Sequence, residues 1–372
     1  MRFIDLHAHY PMHLGLPKSM SDNPITKLAK QALFDLANEV RNFEPINKPR
    51  VTAGRILESK ITGLASVLYD PEDEFLVAQE PHPIAIEHIR QQIRDVERDA
   101  AVHALGVAKT LTELQTYINE SRPFIVHCVE GGHALSGDPD NVKELEQSGV
   151  TYLILAHLRY MGLAGCAKGL PCKGNFWQDL INHGQDPAIG LSNAGFQVLE
   201  TILSSRIILD VTHCSHLSRK DIMTYYTSSG SHRPIISSHS GTQYLANYEL
   251  NVSDEWIKFI ADTGGVIGVI LFPFWLANSP KGKKGIDLVG DTIDRKRLTN
   301  TPVRQARSVL KCPDDRKNRV VSAQTTYPCG SSAVGGRVCE QRHAAERVLP
   351  ESRFELQHAG SPSKETALEK KA

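Results

Sequence analysis

Seven short apolar runs set the strongest limit on what this chain can fold into. They are Phe3 to His9, Ile61 to Tyr69, Pro123 to Val129, Thr151 to Ala156, Ile207 to Thr212, Pro234 to Ser238 and Gly265 to Leu271. Runs of this length with little polar alternation suit strands of a parallel sheet, buried on both faces. Residues 83–104 place Ile86, Ile89, Ile93, Val96 and Ala100 at helical spacing. Helical patterns also occupy 191–204, 215–228 and 253–263, with Ser192, Ser215 and Ser253 placed to cap them. A further helix is expected near 25–41, after a loop holding Pro11, Gly15, Pro17 and Pro24. Strand and helix alternating in this way predict an α/β fold, an eight-stranded β/α barrel of the TIM type. An open doubly wound sheet is the alternative. It is disfavoured because no G-x-G-x-x-G follows the first strand.

An eighth buried strand is not evident. From about Arg295 the apolar periodicity stops, and Arg, Gly, Ser and Pro dominate. The 372 residues have zero formal net charge, but residues 1–294 carry 26 basic against 34 acidic groups and 295–372 carry 16 against 8. We therefore expect a barrel domain over 1–294, incomplete at its C-terminal end, and a disordered basic tail over 295–372. Zero overall charge gives no reason to expect a specific nucleic-acid partner. No apolar run is long enough to span a bilayer, and no leader precedes the first strand, so a cytoplasmic protein is expected. Seven cysteines without a CxxC pair argue against a disulfide framework and a four-cysteine zinc site.

The strand ends carry the chemistry. His7 and His9 are two apart on the first strand and so point to one side. Alone, the pair reads equally well as a polar strand exit or as half a metal site. Glu130, His157, His213 and His239 then follow the ends of four further strands. In a β/α barrel all strand C-termini open onto one face, which would bring these residues together. Four neutral imidazoles and a carboxylate able to bridge suit two divalent ions, which about 3.5–4 Å apart can share a hydroxide that attacks a carbonyl. His127 is expected in the core, and His216 and His232 in structural positions.

Short motifs then carry a resemblance. Val129-Glu130-Gly131-Gly132-His133-Ala134-Leu135, Leu155-Ala156-His157, Gly190-Leu191-Ser192-Asn193-Ala194-Gly195, Leu209-Asp210-Val211-Thr212-His213, Pro234-Ile235-Ile236-Ser237-Ser238-His239-Ser240 and Asn251-Val252-Ser253-Asp254-Glu255 occur in that order. Together they resemble the membrane dipeptidase family (renal dipeptidase, peptidase M19) of the amidohydrolase superfamily. The resemblance implies a zinc-dependent dipeptidase that cleaves a dipeptide amide with a metal-bridged hydroxide. It implies that His7 and His9 bind a first Zn2+, that His213 and His239 bind a second, and that Glu130 bridges them. It implies that Glu130 is catalytic and that His157 is catalytic and touches the substrate. His133 receives no metal role. A homodimer is also implied.

Three departures from the family's pattern stand out. His9 occupies the place of an Asp, Leu250 that of an Arg expected to grip the dipeptide carboxylate, and the eighth strand with its Gly-x-Asp-x-Asp-Gly element is missing. Asp287, Asp291 and Asp294 precede the place of that strand and are expected on a helix. Two alternatives follow: an amidohydrolase acting on another amide, ester or lactone, or an inactive truncated or frameshifted relative.

Overall fold

Alternation of period two along each buried run decides which side chains face the helices and which face inward. The computed structural model describes residues 3–14, 51–59, 61–75, 84–168, 189–271, 273–276 and 285–298. The helix expected at 25–41 lies outside them, as does the tail beyond Leu298. All described residues belong to a unit spanning Met1–Arg319.

The strands are β1 (Ile4–Ala8), β2 (Gly63–Leu68), β3 (Gly106–Val107), β4 (Phe124–Glu130), β5 (Val150–Ile154), β6 (Ile208–Asp210), β7 (Ile235–Ser240) and β8 (Ile267–Val269). Every expected run thus overlaps a strand. The ladders are parallel, in the order β1-β2-β4-β5-β6-β7-β8, with the short β3 also paired to β4. The reading of the sequence missed β3, because two residues leave no periodicity.

Helices lie between the strands and after the last of them: α1 (Ala53–Ser59), α2 (Pro71–Phe75), α3 (Ala85–Val102), α4 (Leu111–Asn119), α5 (Asn141–Gln147), α6 (Asn193–Ser204), α7 (His216–Ser229), α8 (Asp254–Asp262), α9 (Pro273–Leu276) and α10 (Gly285–Leu298). The three expected caps are in place. Ser192, Ser215 and Ser253 accept from the backbone N–H of Gly195, Ser218 and Trp256, satisfying donors that the first helical turn leaves unpaired. None of the described helices is long and apolar enough to cross a membrane.

On β2, Leu64 and Leu68 pack outward with Ile89, Ile93 and Val96 of α3, while Ala65 and Val67 turn inward with Cys128, Tyr152, Ile154 and Ile236. This is a sheet nearly closed into a barrel, with a packed interior and helices outside. One seam is unsealed. Among the described residues β8 pairs with β7 and not with β1, and no strand follows it. Yet β8 comes close to β1: a side-chain Cβ at Gly268 would stand 3.5 Å from the Leu6 side chain. The two strands at the seam are less covered than expected, with Ile4 at 41% exposure and Leu271, just past β8, at 73%. The expected gap at the eighth strand thus has a structural counterpart. Asp287, Asp291 and Asp294 lie on α10, which runs across the composition change at Arg295.

Candidate metal centre

Glu130 ends β4 and is almost fully buried. Five imidazoles surround its carboxylate. Nε2 of His7 is 3.3 Å from Oε1, that of His213 3.4 Å, that of His157 3.6 Å and that of His239 3.7 Å. Nε2 of His9 approaches the other oxygen, at 3.3 Å from Oε2. The Nε2 atoms of His213 and His239 are 2.9 Å apart. The structure therefore brings together all six residues singled out at the strand ends. Two sets offer ligand atoms within 4.8 Å of one another: His7, His9 and Glu130, and Glu130, His157 and His213.

Local backbone features aim these side chains. After Glu130 the chain turns through Gly131 at φ +94°, a conformation that L side chains rarely adopt. Gly132 then passes so close to β5 that a Cβ would lie 2.6 Å from the Leu155 carbonyl oxygen. The turn is tied to β5 by Gly131 N–H to Ile154 O and Gly132 N–H to Leu155 O, both 3.0 Å. His213 follows β6 at φ +63°, an uncommon left-handed position for a residue with a side chain. Asp210 supports that turn, accepting from the Thr212 N–H at 2.9 Å, the Thr212 hydroxyl at 2.6 Å and the Ser238 N–H of β7 at 3.2 Å. Ser238 Oγ lies 2.9 Å from His239 Nδ1, and the Tyr152 hydroxyl donates to the Leu6 carbonyl of β1 at 2.5 Å. Trp275 packs its ring against His213 and His239, at centroid distances of 5.8 and 6.1 Å.

The electrostatics suit a cation. Burial alone would raise the Glu130 pKa, but charge on His157 and His7, with hydrogen bonds from His213 and His7, holds it well below the carboxylate range. Burial lowers His213 to about 4 even against the pull of Glu130. His239 is lowered well below the usual imidazole range by burial, then by His7 and His213. A buried carboxylate on which imidazole nitrogens converge is the donor set that a borderline divalent metal prefers.

The other four histidines weighed in the sequence lie elsewhere. His127 is fully buried and meets Glu97 of α3 at 3.4 Å. His216 is the exposed first residue of α7, and His232 is exposed before β7. His133 is buried against Tyr69, at a centroid distance of 5.9 Å, outside the ligand sets. Leu250 is buried with Trp275 and Ala167. Sequence reasoning missed Asp210, Ser238, Tyr152, Trp275 and Glu74. Of these, Glu74 carried a signal, since Asp70-Pro71-Glu72-Asp73-Glu74 is an acidic run at the exit of a buried strand.

The profile of the membrane dipeptidase family (peptidase family M19) matches residues 3–300. The chain belongs to that family. Among curated relatives, the dipeptidase verJ of Clonostachys rogersoniana is 24% identical over 192 residues, 51% of this chain and 45% of verJ. An uncharacterized dipeptidase of Schizosaccharomyces pombe is 24% identical over 165 residues, 44% of this chain and 36% of the relative. The chain thus matches less than half the length of these two relatives. Among solved structures, a metallopeptidase from Rhodobacter sphaeroides, liganded with a phosphinate mimic of the dipeptide L-Ala-D-Ala, superposes with a TM-score of 0.56 at 15% identity, covering 80% of this chain and 82% of that one. The dipeptidase AC, a metallopeptidase of family M19, gives 0.55 at 17% identity over 72% and 78%. These likenesses establish that the chain has the membrane dipeptidase fold.

Proposed function

We propose that this chain is a zinc-dependent dipeptidase that hydrolyses the amide bond of a dipeptide. The observation that carries the reading is the convergence of five Nε2 atoms within 3.7 Å of one buried carboxylate oxygen pair. Family membership supports it. His7, His9 and Glu130 would hold one divalent ion, and Glu130, His213 and His239 a second. When bound, such ions lower the pKa of a water and polarise a carbonyl. Glu130 supplies the charge that keeps the site attractive to cations, and its two oxygens face different histidines. His157 presents Nε2 to the amide being cleaved. Asp210, Ser238 and Tyr152 hold the turns and rings in place, and Trp275 walls His213 and His239 off from water.

Leu250 favours a second reading. It lies buried in an apolar cluster with Trp275, so it offers no cation to a substrate carboxylate. An amidohydrolase of another amide, ester or lactone would need none. We take residues 1–294 as the hydrolase body and 295–372 as a separate basic tail, on the change of charge near Arg295. A cytoplasmic homodimer completes the reading.

The test is the metal-to-protein ratio of purified protein and of Glu130→Gln, followed by a dipeptide panel with added zinc. Two ions per chain, loss of metal in Glu130→Gln and dipeptide turnover are expected. Bound metal without dipeptide turnover would transfer the proposal to another acyl substrate, and wild-type protein that takes up no metal would end it.

A further inference from the structure

We infer that Glu74 is the positioning residue for His157: its carboxylate keeps a proton on Nδ1 and thereby commits Nε2 to the metal centre. The catalytic consequence rests on the hydrolase reading above, whereas the assignment of the proton rests on geometry alone. Glu74 lies in α2, directly after β2, and is fully buried. Its Oε1 accepts from the backbone N–H groups of Leu158 and Arg159, each at 2.8 Å. Its Oε2 accepts from the Tyr69 hydroxyl at 2.6 Å and lies 2.7 Å from His157 Nδ1. The Arg159 guanidinium donates to the Glu74 carbonyl at 3.3 Å, fastening the same loop a second time. One residue therefore grips the ring of His157 and the backbone of the two residues after it.

The hydrogen-bond chemistry leaves little freedom. An ionised carboxylate can only accept. Two backbone N–H groups and the Tyr69 hydroxyl already donate to the two oxygens of Glu74, the surroundings of an ionised carboxylate. Nδ1 of His157 must then be the N–H, and Nε2 is left facing Glu130. This is how an outer carboxylate orients an imidazole at a metal or catalytic site.

Glu74→Gln separates this role from mere packing. The amide keeps the shape. Its oxygen is expected to stay with the two backbone N–H groups, which places its NH2 against Tyr69 and His157. The tyrosine hydroxyl can rotate to accept, but Nδ1 can accept only by giving up its proton. The variant should therefore carry its ring proton on Nε2.

The experiment is nitrogen-15 correlation spectroscopy of the histidine rings in zinc-loaded, full-length protein, with His157→Gln to assign the signals. Wild type should show His157 Nδ1 protonated, and Glu74→Gln should show it unprotonated at an unchanged metal-to-protein ratio. In steady-state assays kcat should fall about 10–100-fold with KM moving far less, and Glu74→Asp, which retains the carboxylate, should recover part of the loss. An unprotonated Nδ1 in wild type overturns the inference even if the variant fails to fold, and so does a proton that stays on Nδ1 in Glu74→Gln. If wild type turns over no dipeptide, the hydrolase reading fails, while the ring-nitrogen signals still decide the role of Glu74.

Discussion

His127 and Glu130 lie three positions apart on β4 and have opposite fates. On β4, Ile125 and Val129 pack outward with the helices, and Cys128 packs inward with Tyr152 and Ile154. Parity therefore sends His127 to the helix side and Glu130 to the barrel interior. On the outer side, hydrogen bonds from His127 and from Lys109, at 2.5 Å, hold Glu97 at about 2, below its ordinary 4.5. A depressed carboxylate stabilises the fold above its unfolded pKa, and that contribution is lost as pH falls through the folded one. Glu97→Gln should thus lower Tm at pH 7, by a modest amount because Glu97 is one-third exposed, and the gap should close between pH 4.5 and 2. Thermal melts of both proteins across that range would show a constant gap if the ion pair contributes nothing.

At the scale of elements, local chemistry explains most boundaries. α8 begins where Ser253 accepts from the Trp256 N–H at 3.3 Å, and its buried residues Trp256, Ile257 and Ile260 recur at helical spacing. Ser253→Ala is expected to cost about 1 kcal/mol in urea unfolding while leaving metal content unchanged. A loss of metal would mean that the α8 cap also supports the site. The glycines of the Glu-Gly-Gly-His motif act differently. Gly131 supplies a positive φ and Gly132 a close approach to β5, so the motif is a turn chemistry that delivers the end of β4 against the end of β5. The acidic run after β2 could be seen in the sequence, but its partners could not. Glu74 meets His157, 83 positions away in the loop after β5, a strand not adjacent to β2.

For the whole molecule, the candidate centre draws on the ends of β1, β4, β6 and β7 and the loop after β5, and its residues stay together only while the barrel stays curled. Metal binding should therefore feed back on folding. Stripping metal with a chelator should lower the Tm of wild type, by an amount corresponding to roughly 2.7 kcal/mol for ion at a hundredfold excess over Kd, and zinc should restore it. Glu130→Gln should melt at nearly the same temperature with and without zinc. Equal metal dependence in both proteins would place the ion elsewhere, with the buried Asp70, Asp73 and His88 group as the next place to look.

The positions of every strand but β3, the helix caps at Ser192, Ser215 and Ser253, and the residue types at the strand ends were determined by sequence alone. Each depends on periodicity or hydrogen bonds within a few residues. Tertiary structure decided that His9 turns to one oxygen of Glu130 and four other imidazoles to the second. It also decided that Glu74 is the partner of His157, and that β8 approaches β1 without pairing. These depend on register between strands that are distant along the chain, and the spacing of residues within one strand carries no information about its offset from another.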